Sequence, residues 1–255
     1  MKVEDVMQRR VVSVGENDLV THTRQIMRDY RYEMLPVVDE NDHLIGVVTE
    51  KDAMRVTSTR SNVTVGGFVS EVALVTPADD LRSVLHHMAE LRLRYLPVVR
   101  GREDPVLIGL IGLPSIFNAL KERVPDRRVS DVMITDIKTC QKSDTLNKVW
   151  SDLLKFGISE MPVMDGNEAI GVITVRDILK SGHVRLDREA RHVRHVKAEK
   201  VMNTPLHTIS RDESVKTATE RLLTLGISRI YVVEKEELAG VVDLYDLITL
   251  FANSL

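Results

Sequence analysis

The chain has 255 residues, 43% hydrophobic and only 4% aromatic, and its 35 Lys and Arg against 38 Asp and Glu give a formal net charge of −3. That length supports a sizeable core in one or two domains. The charge argues against a strongly basic nucleic-acid surface, and the scarcity of aromatics argues against a base-stacking platform. The single cysteine, Cys140, cannot form an internal disulfide, which suits a reducing cytoplasm. No signal peptide is read after Met1-Lys2-Val3-Glu4-Asp5, and the longest apolar run, Leu107 to Leu120, is broken by Pro114, Ser115 and Asn118. No membrane span is expected.

The first copy of a repeating unit opens at Val6-Met7. A β-rich run, Val11-Val12-Ser13-Val14, predicts a short strand, and the acidic turn at Asp18 predicts the start of a helix. Two apolar runs follow, Leu35-Pro36-Val37-Val38 and Leu44-Ile45-Gly46-Val47-Val48, and read as adjacent strands joined by a tight turn. The closing block Gly46-Val47-Val48-Thr49-Glu50-Lys51-Asp52 then opens a last helix.

The same order returns three times. The first strands read as Val72–Val75, Ile137–Cys140 and Leu206–Ile209, and the helix starts carry Asp80, Asp144 and Asp212. Helical stripes follow in Leu81, Val84, Leu85, Met88 and Leu91, and in Leu146, Val149, Trp150, Leu153 and Leu154. Val132-Met133 and Val201-Met202 repeat the opening, and closing blocks begin at Gly109, Gly171 and Gly240. The period, roughly 60 to 70 residues, fits a compact mixed unit rather than a helical hairpin. The pattern is β-α-β-β-α written four times, an α+β (mixed α/β) class. A unit of about sixty residues is marginal alone, so the repeats are expected to pair, giving two domains over 1–124 and 125–255.

Between copies lie polar intervals, Thr57–Asn62, Lys121–Arg128 and Ser181–Lys200. The third, with its Arg/His-rich stretch 183–200, carries Arg185, Arg188, Arg191 and Arg194 with His183, His192 and His195. His192 and His195 could share a helix face, but no carboxylate or cysteine completes a metal pattern, and a solvated linker helix is the expectation.

Chemistry concentrates in the closing blocks. Thr49-x-x-Asp52 and Thr174-x-x-Asp177 stand where a strand ends and a helix begins, so free backbone N–H groups and the positive end of the dipole are available to an anion. A threonine hydroxyl can donate to phosphate, and an aspartate accepts the two O–H donors of a ribose diol. Equally, Thr-x-x-Asp resembles a capping box, in which the same side chains serve only their own helix. The second copy has Gly112 and Ser115 at these positions, and the fourth has Asp243 with Asp246.

Together the β-α-β-β-α order, the Gly-apolar-apolar-Thr-x-x-Asp endings and the apolar-Pro-Val runs at Leu35, Leu96 and Met161 make the chain resemble the cystathionine-β-synthase (CBS) domain family. The resemblance covers residues 3–56, 66–120, 129–182 and 198–253. It implies four repeats packed as two pseudo-twofold pairs, called Bateman modules, which can form a flat disc. Members with four repeats look like the regulatory gamma subunit of AMP-activated protein kinase. That likeness implies a non-enzymatic, cytoplasmic sensor that needs no cofactor and binds AMP, ADP or ATP in clefts between repeats, signalling to a protein partner.

By position, the resemblance gives Asp52, Asp177 and Asp246 to ribose, Thr49 and Thr174 to phosphate, and Arg229 and Arg94 to phosphate as basic residues. Lys51, Arg55 and Arg176 are weaker candidates. Asp243 would repel a phosphate, so S-adenosylmethionine, whose sulfonium would tolerate it, is an alternative ligand. A nucleic-acid or protein scaffold using the Arg/His-rich stretch is a third reading, with nucleic acid disfavoured by the charge. No nucleophile-base pair or metal constellation is read, no membrane role is expected, and two copies could pair as a homodimer.

Overall fold

The computed structural model describes residues 1–30, 32–53, 62–181, 196–235 and 237–255. Arg55, most of the 57–62 interval and residues 183–195 of the Arg/His-rich stretch lie outside the described residues. The chain falls into two compact units, Met1–Pro125 with Ile248–Leu255, and Asp126–Leu247.

In the first unit the first repeat contains β1 (Val14–Gly15), α1 (Val20–Tyr30), β2 (Met34–Val38), β3 (Leu44–Thr49) and α2 (Glu50–Ala53). The second contains α3 (Leu81–Leu91), β4 (Tyr95–Val99), β5 (Leu107–Gly112) and α4 (Leu113–Leu120). The second unit repeats the order as β6 (Cys140–Gln141), α5 (Leu146–Phe156), β7 (Glu160–Asp165), β8 (Glu168–Thr174) and α6 (Val175–Ser181), then β9 (Thr208–Ser210), α7 (Val215–Leu225), β10 (Arg229–Glu234), β11 (Glu237–Asp243) and the start of α8 (Leu244–Ser254), which from Ile248 on is counted with the first unit. In each three-stranded sheet the middle strand pairs in parallel with the short first strand and antiparallel with the third. The fold is the mixed α/β arrangement expected.

The first strands are shorter than expected. Two or three residues pair in copies one, three and four, and in copy two only Val75 bridges Val98. The reason is that the leading leg of each repeat is committed elsewhere. Gln8 bridges Leu110 of β5, and Ser70 bridges Val47 of β3. In the second unit Ile134 bridges Val241 of β11, and Asn203 bridges Val172 of β8. Each repeat therefore lends an edge to the sheet of its pair, and only the end of the run remains for its own sheet.

This exchange explains both sequence signatures. A Cβ on Gly46 would lie 2.5 Å from the Ser70 carbonyl oxygen, and one on Gly171 would lie 2.6 Å from that of Asn203. At Gly109 the obstacle is the Gln8 carbonyl oxygen at 2.9 Å, and at Gly240 the Met133 sulfur at 2.8 Å. The methionines of the Val-Met pairs sit on these glycines, with Met7 sulfur 3.2 Å from the Gly109 position and Met202 sulfur 3.3 Å from Gly171. The opening of one copy and the closing block of its pair are two sides of one contact.

A second exchange reinforces the first. Val3, Val65, Val129 and Ala198 each begin a single 3-10 turn and are fully buried. Each donates its backbone N–H to the paired repeat, to the carbonyls of Asp79 (3.1 Å), Asp18 (2.8 Å), Glu213 (2.9 Å) and Asp144 (2.8 Å) respectively. Val65 belongs to the core of the first repeat, with Val14, Val20 and Leu35, and Ala198 to that of the third, with Val149, Leu153 and Met161. A repeat cannot close its core without its partner.

Two expectations about the helices change. Asp80 is an N-cap, accepting from the Ser83 N–H at 3.0 Å, but the caps of α5 and α7 are Thr145 and Ser214. Asp18 and Asp144 serve the preceding turn instead, accepting from the N–H groups of Gly15 and Gln141 at 2.9 Å, while Asp212 stands ahead of the Ser214 cap. The helical stripes also end sooner: Leu81, Val84, Leu85 and Met88, and Leu146, Val149 and Leu153, are buried and Trp150 is partly so, while Leu91 and Leu154 are exposed because their faces have turned outward at the helix ends.

Gly171→Ala forces its methyl against a backbone oxygen and should cost about 1 to 3 kcal/mol, the usual range for overpacking. Gly101→Ala, with open space around the position, should change stability little. Urea unfolding, followed by the fluorescence of Trp150 on the third-repeat core for Gly171→Ala and by circular dichroism for both, checks the contrast.

Candidate functional site

One backbone bond recurs in all four copies and gathers the candidate residues. The first N–H of the closing helix donates to the carbonyl just before the middle strand: Glu50 to Glu33 (2.9 Å), Leu113 to Arg94 (2.9 Å), Val175 to Ser159 (2.9 Å) and Leu244 to Ser228 (2.8 Å). The next residue of the middle strand faces the last residue of the third strand, giving cross-strand pairs Met34–Thr49, Tyr95–Gly112, Glu160–Thr174 and Arg229–Asp243. Four equivalent positions thus carry four different chemistries.

Thr49/Asp52 and Thr174/Asp177 form reciprocal capping boxes. Asp52 Oδ2 accepts from the Thr49 N–H at 3.2 Å and its hydroxyl at 2.5 Å, and Thr49 Oγ1 accepts from the Asp52 N–H at 3.3 Å. In the third copy the matching distances are 3.0, 2.6 and 3.1 Å, and Asn203 Nδ2 adds a bond of 2.7 Å to Asp177 Oδ2. The threonine hydroxyl protons point at their own aspartates rather than outward. Every one of these bonds that an aspartate side chain accepts falls on Oδ2, so a diol would meet Oδ1.

In the first unit, Arg94 is 8% exposed and its Nε lies 3.7 Å from Glu33 Oε2, whose side chain is 48% exposed. Arg94 Nη2 is buried without a hydrogen-bond partner among the described residues. A buried guanidinium N–H without an acceptor carries an uncompensated desolvation cost. Beside it, burial raises the Tyr95 hydroxyl above its ordinary range, Glu33 adds to the rise, and Arg94 opposes it. Tyr95 also accounts for the glycine at the threonine position of copy two, since a Cβ on Gly112 would come within 2.6 Å of the tyrosine ring. Copy two thus has Gly112 and Ser115 in place of the threonine and aspartate of the closing blocks in copies one and three. The cross-strand Tyr–Gly pairing was the available signal for the ring.

The second unit has a different balance. Arg229 Nε donates to Asp243 Oδ2 at 3.0 Å, with the two side chains 20% and 4% exposed, and the Tyr245 N–H donates to Asp243 Oδ1 at 2.9 Å. The carboxylate expected to repel a phosphate therefore faces its own counter-ion. Tyr231, which stands where the other copies have proline, donates its hydroxyl to Glu160 Oε1 at 2.9 Å. Burial raises the Glu160 carboxyl above the usual range, Arg229 and the Tyr231 hydroxyl oppose the rise, and Asp243 and Asp177 add to it. Glu33 and Glu160 were missed by sequence reasoning because their partners, Arg94 and Tyr231, lie in the paired repeat.

Asp246 and Arg176 are exposed on α8 and α6, and the Lys51 side chain lies outside what the structure describes. Among the described residues no group of three or more His, Cys, Asp and Glu could hold a metal, and no helix is long and apolar enough to cross a membrane. A groove of about 510 Å³ is lined by Thr76, Pro77, Ala78 and the Arg100–Asp104 turn, and it contains none of the candidate residues. Its arginines are already paired, Arg100 with Asp104 at 2.8 Å and Arg102 with Asp79 at 3.1 Å.

Comparison with known proteins gives a CBS-domain match over residues 3–58, 65–122, 129–183 and 196–253. The chain is 27% identical over 192 residues to MJ1225 of Methanocaldococcus jannaschii, covering 70% of this chain and 69% of that protein. The crystal structure of MJ1225, described as a suggested archaeal homolog of g-AMPK, superposes with a TM-score of 0.78 at 20% identity, covering 98% of this chain and all of that one. An uncharacterized protein of the same organism, MJ1404, is 25% identical over 267 residues, covering 98% of this chain and 62% of its own length. A conserved protein from Pyrococcus horikoshii matches with a TM-score of 0.66 at 17% identity, covering 98% of this chain and all of that one.

The raised Glu160 carboxyl yields a signed expectation. The native state holds that proton more tightly than the unfolded chain does, so its contribution is complete below the ordinary carboxylate range and is lost as pH rises through the raised value. Glu160→Gln keeps an acceptor for Tyr231 and removes the buried charge. The variant should be more stable than wild type at pH 8, with the gain shrinking toward pH 4, as read from urea unfolding at both pH values.

Proposed function

The chain belongs to the CBS-domain family, and we propose on that premise that it is a ligand-sensing regulatory protein that binds adenine nucleotides (AMP, ADP or ATP) and signals to a protein partner. The observation that carries this reading is Arg94. A guanidinium that is buried, held by one distant carboxylate and short of an acceptor for Nη2 is completed by an anion such as a phosphate. Asp52 and Asp177, each bonded through Oδ2, retain Oδ1 for the two ribose hydroxyls. Thr49 and Thr174 then act by orienting those aspartates, and would reach a phosphate only by turning their hydroxyls. The likeness to MJ1225 in fold is in keeping with this reading.

Regulation requires that the ligand bind two conformations with different affinity. In the first unit Arg94 and Glu33 belong to different repeats, so an anion that draws the guanidinium away from Glu33 changes the contact between paired repeats. That is a local event with a global readout.

Titration calorimetry of the full chain with AMP tests the proposal. Arg94→Gln should weaken AMP roughly 10- to 150-fold, the worth of a charge-assisted hydrogen bond of about 1.5 to 3 kcal/mol. Asp52→Ala should weaken AMP and adenosine alike, because its partner is the ribose. Unchanged AMP affinity in Arg94→Gln would remove the assignment.

A further inference from the structure

The four equivalent cross-strand pairs differ most at the fourth, Arg229–Asp243, the one pair of opposite charges. We infer that Asp243 is a resident anion: its carboxylate occupies Arg229 and closes the second unit to phosphorylated ligands, leaving Arg94 in the first unit as the anion-responsive arginine. The inference rests on the reading of these positions as nucleotide sites. It goes beyond that reading by dividing the units according to ligand charge.

Three observations carry it. Asp243 is aimed by its own backbone, since the Tyr245 N–H fixes Oδ1 at 2.9 Å while Oδ2 meets Arg229 Nε at 3.0 Å. The pair sits on directly opposed residues of β10 and β11, so it needs no long side-chain reach to persist. Asp243 is also 4% exposed, and drawing Arg229 away toward a ligand would break a buried ion pair by removing one partner, an outcome proteins strongly disfavour.

The surroundings act in the same sense. Glu160 lies close enough to interact electrostatically with Arg229, Asp243 and Asp177, and it is fixed across the paired repeats by the 2.9 Å bond from Tyr231. An incoming phosphate would meet three carboxyl groups and one arginine already engaged. The first unit contrasts at every point: Gly112 stands where Asp243 stands, and among the described residues Arg94 Nη2 has no hydrogen-bond partner and the carboxylate paired with its Nε, that of Glu33, is 3.7 Å away and half exposed. Asp177 retains its diol acceptor, so the second unit stays suited to an uncharged nucleoside.

The test uses the full chain, with AMP and inorganic pyrophosphate as probes in titration calorimetry. Asp243→Asn keeps an acceptor for the Tyr245 N–H and releases Arg229. It should add a site for AMP and pyrophosphate, or tighten one at least tenfold, and the gain should disappear in Asp243→Asn with Arg229→Gln. Nitrogen-resolved NMR of the arginine side chains in wild type supplies a readout independent of any variant: AMP should shift the Arg94 Nε–H signal and leave that of Arg229 in place. A shift of Arg229 by AMP in wild type overturns the inference, as does a folded Asp243→Asn that gains no pyrophosphate binding. If wild type binds neither AMP nor pyrophosphate, the nucleotide reading fails, while gain of pyrophosphate in Asp243→Asn still decides the role of Asp243.

Discussion

The structure depends on one close approach, a glycine in the third strand of each repeat against the leading leg of its pair. No side chain fits at Gly46 or Gly171 because a backbone oxygen stands 2.5 or 2.6 Å from where a Cβ would be. That approach lets the two repeats exchange edge pairing, and it brings Val65 and Ala198 into cores that begin at Val14 and Cys140 of the preceding repeat. With the legs crossed, the carbonyls before the middle strands are held by the first N–H groups of the closing helices. The side chains that carry chemistry are thereby placed at equivalent positions, and evolution of function on this frame is a matter of which residue occupies each.

The occupants differ in a physically coherent way. In the first unit a small residue, Gly112, makes room for the Tyr95 ring, and the arginine one position before that ring is left with unmet hydrogen-bonding capacity. In the second unit the corresponding arginine is displaced by one position, faces an aspartate directly, and is satisfied. A buried ion pair that is already complete resists a competing anion, whereas an incomplete one invites it. Pseudo-symmetry of backbone therefore coexists with opposite charge behaviour. The capping boxes of copies one and three add local order, holding each aspartate in one orientation before any ligand arrives.

Much of this frame was legible in the sequence. The Gly and Val-Met recurrences fixed the number of repeats, and the spacing of Leu81, Val84, Leu85 and Met88 placed the buried face of α3. What could not be read is that the two recurrences touch, because the contact joins different repeats and leaves no local periodicity. The same limit hid Glu160, whose partner Tyr231 lies 71 residues away. It also left Asp243 looking like a bare repulsive charge, since its counter-ion is on another strand. The capping role of Thr49 and Thr174 was readable, since a capping box is a local motif.

Hydrogen exchange of the full chain, with and without saturating AMP, tests the account most directly because it reports both units in one experiment. The account predicts slower exchange at the backbone N–H groups of Tyr95, Leu96 and Leu113, which flank Arg94, with residues 229–246 unchanged. Protection of residues 229–246, or no change at the Arg94 stretch, would contradict it.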